Sequence, residues 1–160
     1  MPSILFICTA NQFRSPLAAA CLLNIIDLEK PAGEWVVESA GTWTTEGQPV
    51  PALTLQVARR LALRGLEKQR TRQVSRELLS RFDLSIVMEA GHKEALQMEF
   101  PEARSRIFML SEVVEGIAYD IPDPAQADVE AYPVSRELKM LIDRHADRIF
   151  KLAQSLCAPA

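Results

Sequence analysis

Cysteine is scarce in this sequence, with three among 160 residues, at positions 8, 21 and 157. An odd and widely scattered set fits neither a disulfide framework nor a zinc knuckle, and a reducing, cytoplasmic setting is the expectation. Histidine is scarcer: His92 and His145 lack metal-ligand spacing, so no bound metal is expected. No apolar run approaches the ~20 residues that cross a bilayer. Met1 to Cys8 lacks the basic start of a secretory leader, and no membrane association is expected. There is no basic excess either. Lys and Arg total 18 against 21 Asp and Glu, a net charge of −3, which argues against a nucleic-acid partner. Repeats, linkers and low-complexity segments are absent too. What remains is ordinary globular composition, 48% hydrophobic and 24% charged. A chain of this size buries roughly 70% of its unfolded surface, so a single domain over residues 1–160 is expected.

The pattern along the chain alternates strand and helix. Ile4-Leu5-Phe6-Ile7 is a continuous apolar run of the kind buried on both faces of a sheet. Ser15-Pro16 reads as a helix start, with Ser15 as N-cap and Pro16 at the first helical position, and the helix runs to about Leu28. Trp35 to Val37 reads as a second strand. Pro51 to Arg64 reads as a second helix, stopped by Gly65. A short helix near Ser75 to Ser80, a strand over Leu84 to Met88, a helix over Gly91 to Glu99 and a strand over Arg106 to Leu110 follow. Glu115 to Tyr132 is acidic and irregular. A long amphipathic helix carrying Val134, Leu138, Leu141, Ile149, Leu152 and Leu156 closes the chain. This order predicts an α/β fold, a parallel sheet with helices on both faces. Two charged stretches, basic over Arg59 to Arg81 and acidic over Glu112 to Glu137, read as solvated faces. Ligands of such sheets sit at the carboxyl ends of strands near the switch in strand order, so the first strand-to-helix turn is the first place to look.

That turn reads Cys8-Thr9-Ala10-Asn11-Gln12-Phe13-Arg14-Ser15-Pro16. A tight loop closing onto a helix N-terminus turns backbone N–H groups inward, here those of Thr9, Ala10, Asn11, Gln12 and Phe13, and the helix dipole adds positive potential. Arg14 offers a planar fork of donors to a tetrahedral oxyanion. Asn11 suits a left-handed residue within the loop. Cys8 lies at the floor, where the same field favours thiolate over thiol. A thiolate beneath a bound phosphoryl group is an in-line nucleophile, and the Ser15 hydroxyl can donate to it. Cys, then Arg six residues on, then Ser or Thr and Pro, arises by chance in about one chain in a thousand at average residue usage. The reaction also needs a proton donor. Asp123, in the stiff Ile121-Pro122-Asp123-Pro124 stretch, is a candidate; Asp120 and Asp128 compete, and turn chemistry is the plainer reading of an Asp among prolines.

With these residues the chain resembles the low-molecular-weight protein tyrosine phosphatases. The similarity covers nearly the whole chain: Cys8 to Pro16, Glu38-Ser39-Ala40-Gly41-Thr42, Phe82-Asp83-Leu84, Met88-Glu89 and Asp123-Pro124. It implies a four-stranded parallel sheet in a three-layer arrangement and hydrolysis of phosphotyrosine and aryl phosphomonoesters through a phosphocysteine. By this resemblance Cys8 is the nucleophile, Arg14 binds the phosphoryl oxygens, Asn11 and Ser15 shape the loop, and Asp123 is the general acid. Trp43 falls where the family has an aromatic wall of the cleft. Substrates are phosphorylated proteins or small aryl phosphates, and phosphate and vanadate-like oxyanions inhibit. No cofactor is needed, because the cradle and Arg14 supply the charge stabilisation.

The sequence departs from the family pattern at several points. Phe13 stands where several members have a second loop cysteine, so oxidised Cys8 has no disulfide partner in the loop. Gln12 matches neither the apolar residue of tyrosine-specific members nor the Thr of arginine-phosphate-specific ones. Ala125 and Gln126 follow Asp123-Pro124 where an aromatic is usual; Tyr132 is a distant substitute. Phosphoarginine hydrolysis, arsenate reduction and phosphate binding without turnover are the alternatives. Related arsenate reductases need two more cysteines near the third strand's end, and Arg81 to Glu94 has none. Cys21 and Cys157 read as buried and inert, His145 as an interface residue of the last helix, and His92 as a helix-start residue near the cleft.

Overall fold

The computed structural model describes residues 1–126 and 129–159. Four strands, β1 (Ser3–Cys8), β2 (Val36–Gly41), β3 (Leu84–Val87) and β4 (Ile107–Met109), form one parallel sheet in the order β2-β1-β3-β4. The apolar run of β1 has no solvated face, and all six of its residues are buried at the centre of the sheet. Alternate side chains feed two cores. Ile4, Phe6 and Cys8 face α1 (Arg14–Glu29) and the last helix, while Leu5 and Ile7 pack with Leu78, Leu79 and Leu96 on the other side. β1 pairs with β2 on one edge and β3 on the other, so the loop leaving β1 lies where the strand order reverses.

The remaining helices are α2 (Ala52–Arg60), α3 (Arg76–Ser80), α4 (Ala90–Glu99), α5 (Leu110–Glu115) and α6 (Ala131–Leu156), with 3-10 turns at Leu66–Lys68 and Pro101–Arg106. Ser75 caps α3, its side chain accepting from the Leu78 N–H. Several boundaries differ from expectation. α1 begins at Arg14 with Phe13 at its N-cap, and Ser15 caps nothing; its hydroxyl is turned to the strand ends instead. Pro16 is the third helical residue, still inside the turn that lacks internal N–H acceptors. α2 stops at Arg60, and the chain turns through Ala62 (φ 56°) before reaching Gly65. β2 is longer than expected and runs to Gly41. The six-residue α5 had no periodic signal. α6 is kinked at half-buried His145 (φ −126°, ψ 20°).

The charged stretches are partly paired. Arg72 bridges Glu38, Arg76 bridges Glu102, and Lys93 bridges Glu112. The Arg60 guanidinium lies 3.6 Å over the Tyr132 ring, which ties Tyr132 to α2. Among the described residues no helix is long and apolar enough to cross a membrane.

Candidate active site

Cys8 ends β1, and the loop after it is fastened on every side. Thr42 N–H donates to Cys8 O (2.9 Å) and Trp43 N–H to Thr9 O (3.0 Å), so the chain beyond β2 continues to grip the loop. Asn11 takes the left-handed conformation expected of it (φ 57°). Its amide nitrogen donates to Ser15 Oγ and Ser39 Oγ, both at 2.9 Å, and its oxygen accepts from Arg72 N–H at 2.9 Å. On the opposite side Thr54 Oγ1 donates to Gln12 O at 2.7 Å. Every donor of the Asn11 amide is spent on structure, and the loop is preorganised.

Cys8 Sγ lies 3.0 Å from Ser15 Oγ, and Ala40 O is 3.2 Å from the same oxygen. Ser15 has one proton for two acceptors; a thiolate, as the charged acceptor, draws it. Arg14 is 2% exposed, and its guanidinium is held by Glu89 Oε2 (2.6 Å), Ile121 O (2.7 Å) and Asp123 Oδ2 (3.4 Å). A buried guanidinium needs such partners. Asp123 Oδ1 accepts the Ala125 N–H at 3.0 Å, an Asx turn that fixes the acid loop.

Cys8, Thr9, Ala10, Gln12, Phe13, Arg14, Pro51, Leu53, Thr54 and Asp123-Pro124-Ala125 line one cleft of about 340 Å³, room enough for a phosphorylated side chain. Nucleophile, guanidinium and candidate acid are therefore brought together. Asp120 is not among them; its carboxylate accepts the Ala90 N–H and borders a separate groove against α6. Asp128 lies outside the described residues. Trp43 departs from the expected cleft wall. It is 84% exposed and borders an adjoining groove with Ala10, Gln12, Thr44 and Gln48, while its backbone N–H is held on Thr9 O.

Three contributors were not singled out from the sequence as site residues. Thr54 and Glu89 touch the loop and Arg14, and His92 Nε2 lies 2.8 Å from Thr9 Oγ1. Glu89 follows β3 at the carboxyl edge of the sheet, and that position and the Met88-Glu89 match to the family pattern were the signals that pointed to it. Cys21 is buried, and burial pushes its thiol up to about 12, so it stays inert; Cys157 is half-buried at the end of α6, not buried as expected.

Gly41 is the tightest point. A Cβ there would meet Thr9 O at 2.6 Å and Ala10 C at 3.1 Å, both backbone atoms of the loop. Gly41→Ala is therefore expected to displace the cradle, costing about 1–3 kcal/mol as for overpacking and most of the phosphate affinity. Thermal denaturation with and without phosphate checks this; an unchanged phosphate-induced shift contradicts it.

The chain matches the family model "Low molecular weight phosphotyrosine protein phosphatase" over residues 3–157. It belongs to that family and is a cysteine-dependent phosphatase. Among its relatives, a protein-arginine-phosphatase of Geobacillus stearothermophilus is 37% identical over 148 residues, which is 91% of this chain and 95% of that protein. Wzb of Escherichia coli, a low molecular weight protein-tyrosine-phosphatase, is 32% identical over 130 residues, 81% and 82% of the two chains. The solved structure of YwlE arginine phosphatase from Geobacillus stearothermophilus superposes with a TM-score of 0.83 at 31% identity, covering 100% of both chains.

Proposed function

We propose that this chain removes phosphoryl groups from phosphotyrosine in proteins, and from small aryl phosphates, through a phosphocysteine on Cys8. One observation carries the reading: Cys8 Sγ, hydrogen-bonded by Ser15, shares a single cleft with buried Arg14 and with Asp123. The phosphoryl group enters the loop and takes donors from Arg14, loosening the contact between Arg14 and Asp123. Cys8 Sγ attacks phosphorus as the bond to the tyrosine oxygen breaks, and Asp123 gives that oxygen its proton. Water then attacks phosphorus, Asp123 takes its proton, and the S–P bond breaks to return thiolate and free phosphate. Ser15 steadies the thiolate at both ends of the cycle. A reducing cytoplasm suits a thiol that must stay unoxidised.

A second reading, phosphoarginine, is favoured by a specific feature of the cleft. Ala125 follows Pro124 where the family usually has an aromatic, and among the described residues lining the cleft Phe13 is the one aromatic side chain. The aliphatic wall of Pro51, Leu53 and Pro124 would pack an arginine stem as well as a phenyl ring. The 37%-identical relative named for arginine dephosphorylation supports this reading. The test is kcat/KM on matched phosphotyrosine and phosphoarginine peptides. The first reading predicts a preference of about tenfold or more for phosphotyrosine; the reverse preference establishes the second, and no turnover of either sinks both.

A further inference from the structure

His92 sits in the first turn of α4, 83 residues from the loop, yet it is in direct contact with it. It is 7% exposed. Nε2 lies 2.8 Å from Thr9 Oγ1 and 3.6 Å from Glu89 Oε2, while Nδ1 is buried and has no hydrogen-bond partner. These facts choose the tautomer. A proton on Nδ1 would be a buried donor with nothing to receive it, the rarer kind of orphan in folded proteins. A proton on Nε2 points at the Thr9 oxygen and toward the Glu89 carboxylate. Burial keeps the ring neutral by holding its pKa below the usual value; Glu89 works against that shift, and the Arg14 charge adds to it.

The consequence falls on Thr9. If His92 donates, Thr9 Oγ1 accepts, and the hydroxyl proton is left to point elsewhere. Thr9 has no other side-chain hydrogen bond among the described residues, and it lines the cleft beside Cys8 and Arg14. We propose that His92 is a positioning residue that turns the Thr9 hydroxyl into a donor toward an oxygen of the bound phosphoryl group, a contact made by a side chain in addition to the backbone cradle and Arg14. The proposal rests on the reading that this cleft takes a phosphoryl group. It assigns a function to a histidine 83 positions distant in sequence, and it explains why a ring with an unpaired nitrogen is kept buried at this spot.

The experiment is a double-mutant cycle between positions 9 and 92, read as kcat/KM on p-nitrophenyl phosphate and as inhibition by vanadate. Thr9→Val and His92→Phe are each expected to lose roughly ten- to a hundredfold in kcat/KM, the lower part of the range for a single oxyanion donor. Vanadate should weaken in parallel. The double variant should be no worse than Thr9→Val alone, since His92 acts through that hydroxyl. His92→Gln, whose amide nitrogen reaches the place of Nε2, should restore activity to within a few fold of the parent, and Thr9→Ser should keep it. Additive losses in the double variant, or a His92→Gln protein as impaired as His92→Phe, would overturn the assignment, since that pattern reports damaged packing. If His92→Phe does not fold, the Thr9→Val and Thr9→Ser pair with His92→Gln still decides it: equal vanadate inhibition across all three and the parent is a refutation. A parent protein that binds phosphate in calorimetry but turns over neither phosphomonoester nor phosphoarginine defeats the proposed function alone, and the phosphate affinities of the same variants then test the Thr9 donor directly.

Discussion

Cys8→Ser is expected to abolish turnover of p-nitrophenyl phosphate while leaving oxyanion binding in place. The substitution exchanges one atom. Serine keeps the shape and can still meet Ser15, but a hydroxyl is intrinsically far less acidic and less nucleophilic than a thiol. A base would be needed in the first step, where Asp123 acts as the acid and the His92 imidazole is committed to Thr9. On the proposed reading the phosphate-binding groups are untouched, namely the loop N–H groups of the segment fixed by Asn11 and the guanidinium of Arg14. Isothermal titration with vanadate or phosphate should therefore show affinity within about tenfold of the parent, a factor worth 1.4 kcal/mol. Steady hydrolysis by Cys8→Ser would rule out the covalent route.

Asp123→Ala carries the next largest effect. Removing a positioned general acid typically costs 10²–10⁴ in rate, and the account places the loss on the leaving group. A phosphotyrosine peptide, whose phenolate is a poor leaving group, should suffer most. p-Nitrophenyl phosphate needs little protonation and should suffer less in the first step. Asp123 also touches Arg14 at 3.4 Å, so its removal frees a guanidinium that Glu89 and Ile121 O still hold. Substrate affinity should thus be kept or improved. Stopped-flow rates on both substrates check this. Equal losses on both would point to a structural part for Asp123, and loss on replacing Asp120 instead would transfer the role.

The fold was largely legible because its signals are local. A run with no polar face marks a central strand, and strand–helix alternation marks a parallel sheet. The four strands and their buried faces follow from that. Where the boundaries moved, tertiary demands overrode local chemistry. Ser15 looks like an N-cap, yet its hydroxyl is claimed by Cys8, Asn11 and Ala40, and the helix starts earlier in consequence. The central part of the candidate site was legible for the same reason, since Cys8 to Ser15 is contiguous. What was not legible is the support arriving from other loops. Thr54 and Glu89 carry no spacing relation to Cys8, and only the folding of β3 and α2 against β1 makes them neighbours; His92 reads as a helix-start residue near the cleft, and its place in the first turn of α4 against Thr9 agrees. Trp43 shows the limit of sequence position: it reaches a groove beside Ala10 and Gln12 of the loop, but its 84%-exposed ring does not line the cleft that holds Cys8 and Arg14.

The central claim is that phosphorus is bonded to sulfur during turnover. Acid quenching of the Asp123→Ala protein during p-nitrophenyl phosphate hydrolysis, followed by peptide mass spectrometry, tests it most directly. A fast first step and a hindered second step should accumulate the intermediate, and the account predicts a phosphoryl increment on the peptide bearing Cys8, lost when that thiol is alkylated before substrate is added. Turnover with that peptide unmodified at every quench time, or with the increment on another residue, would contradict it.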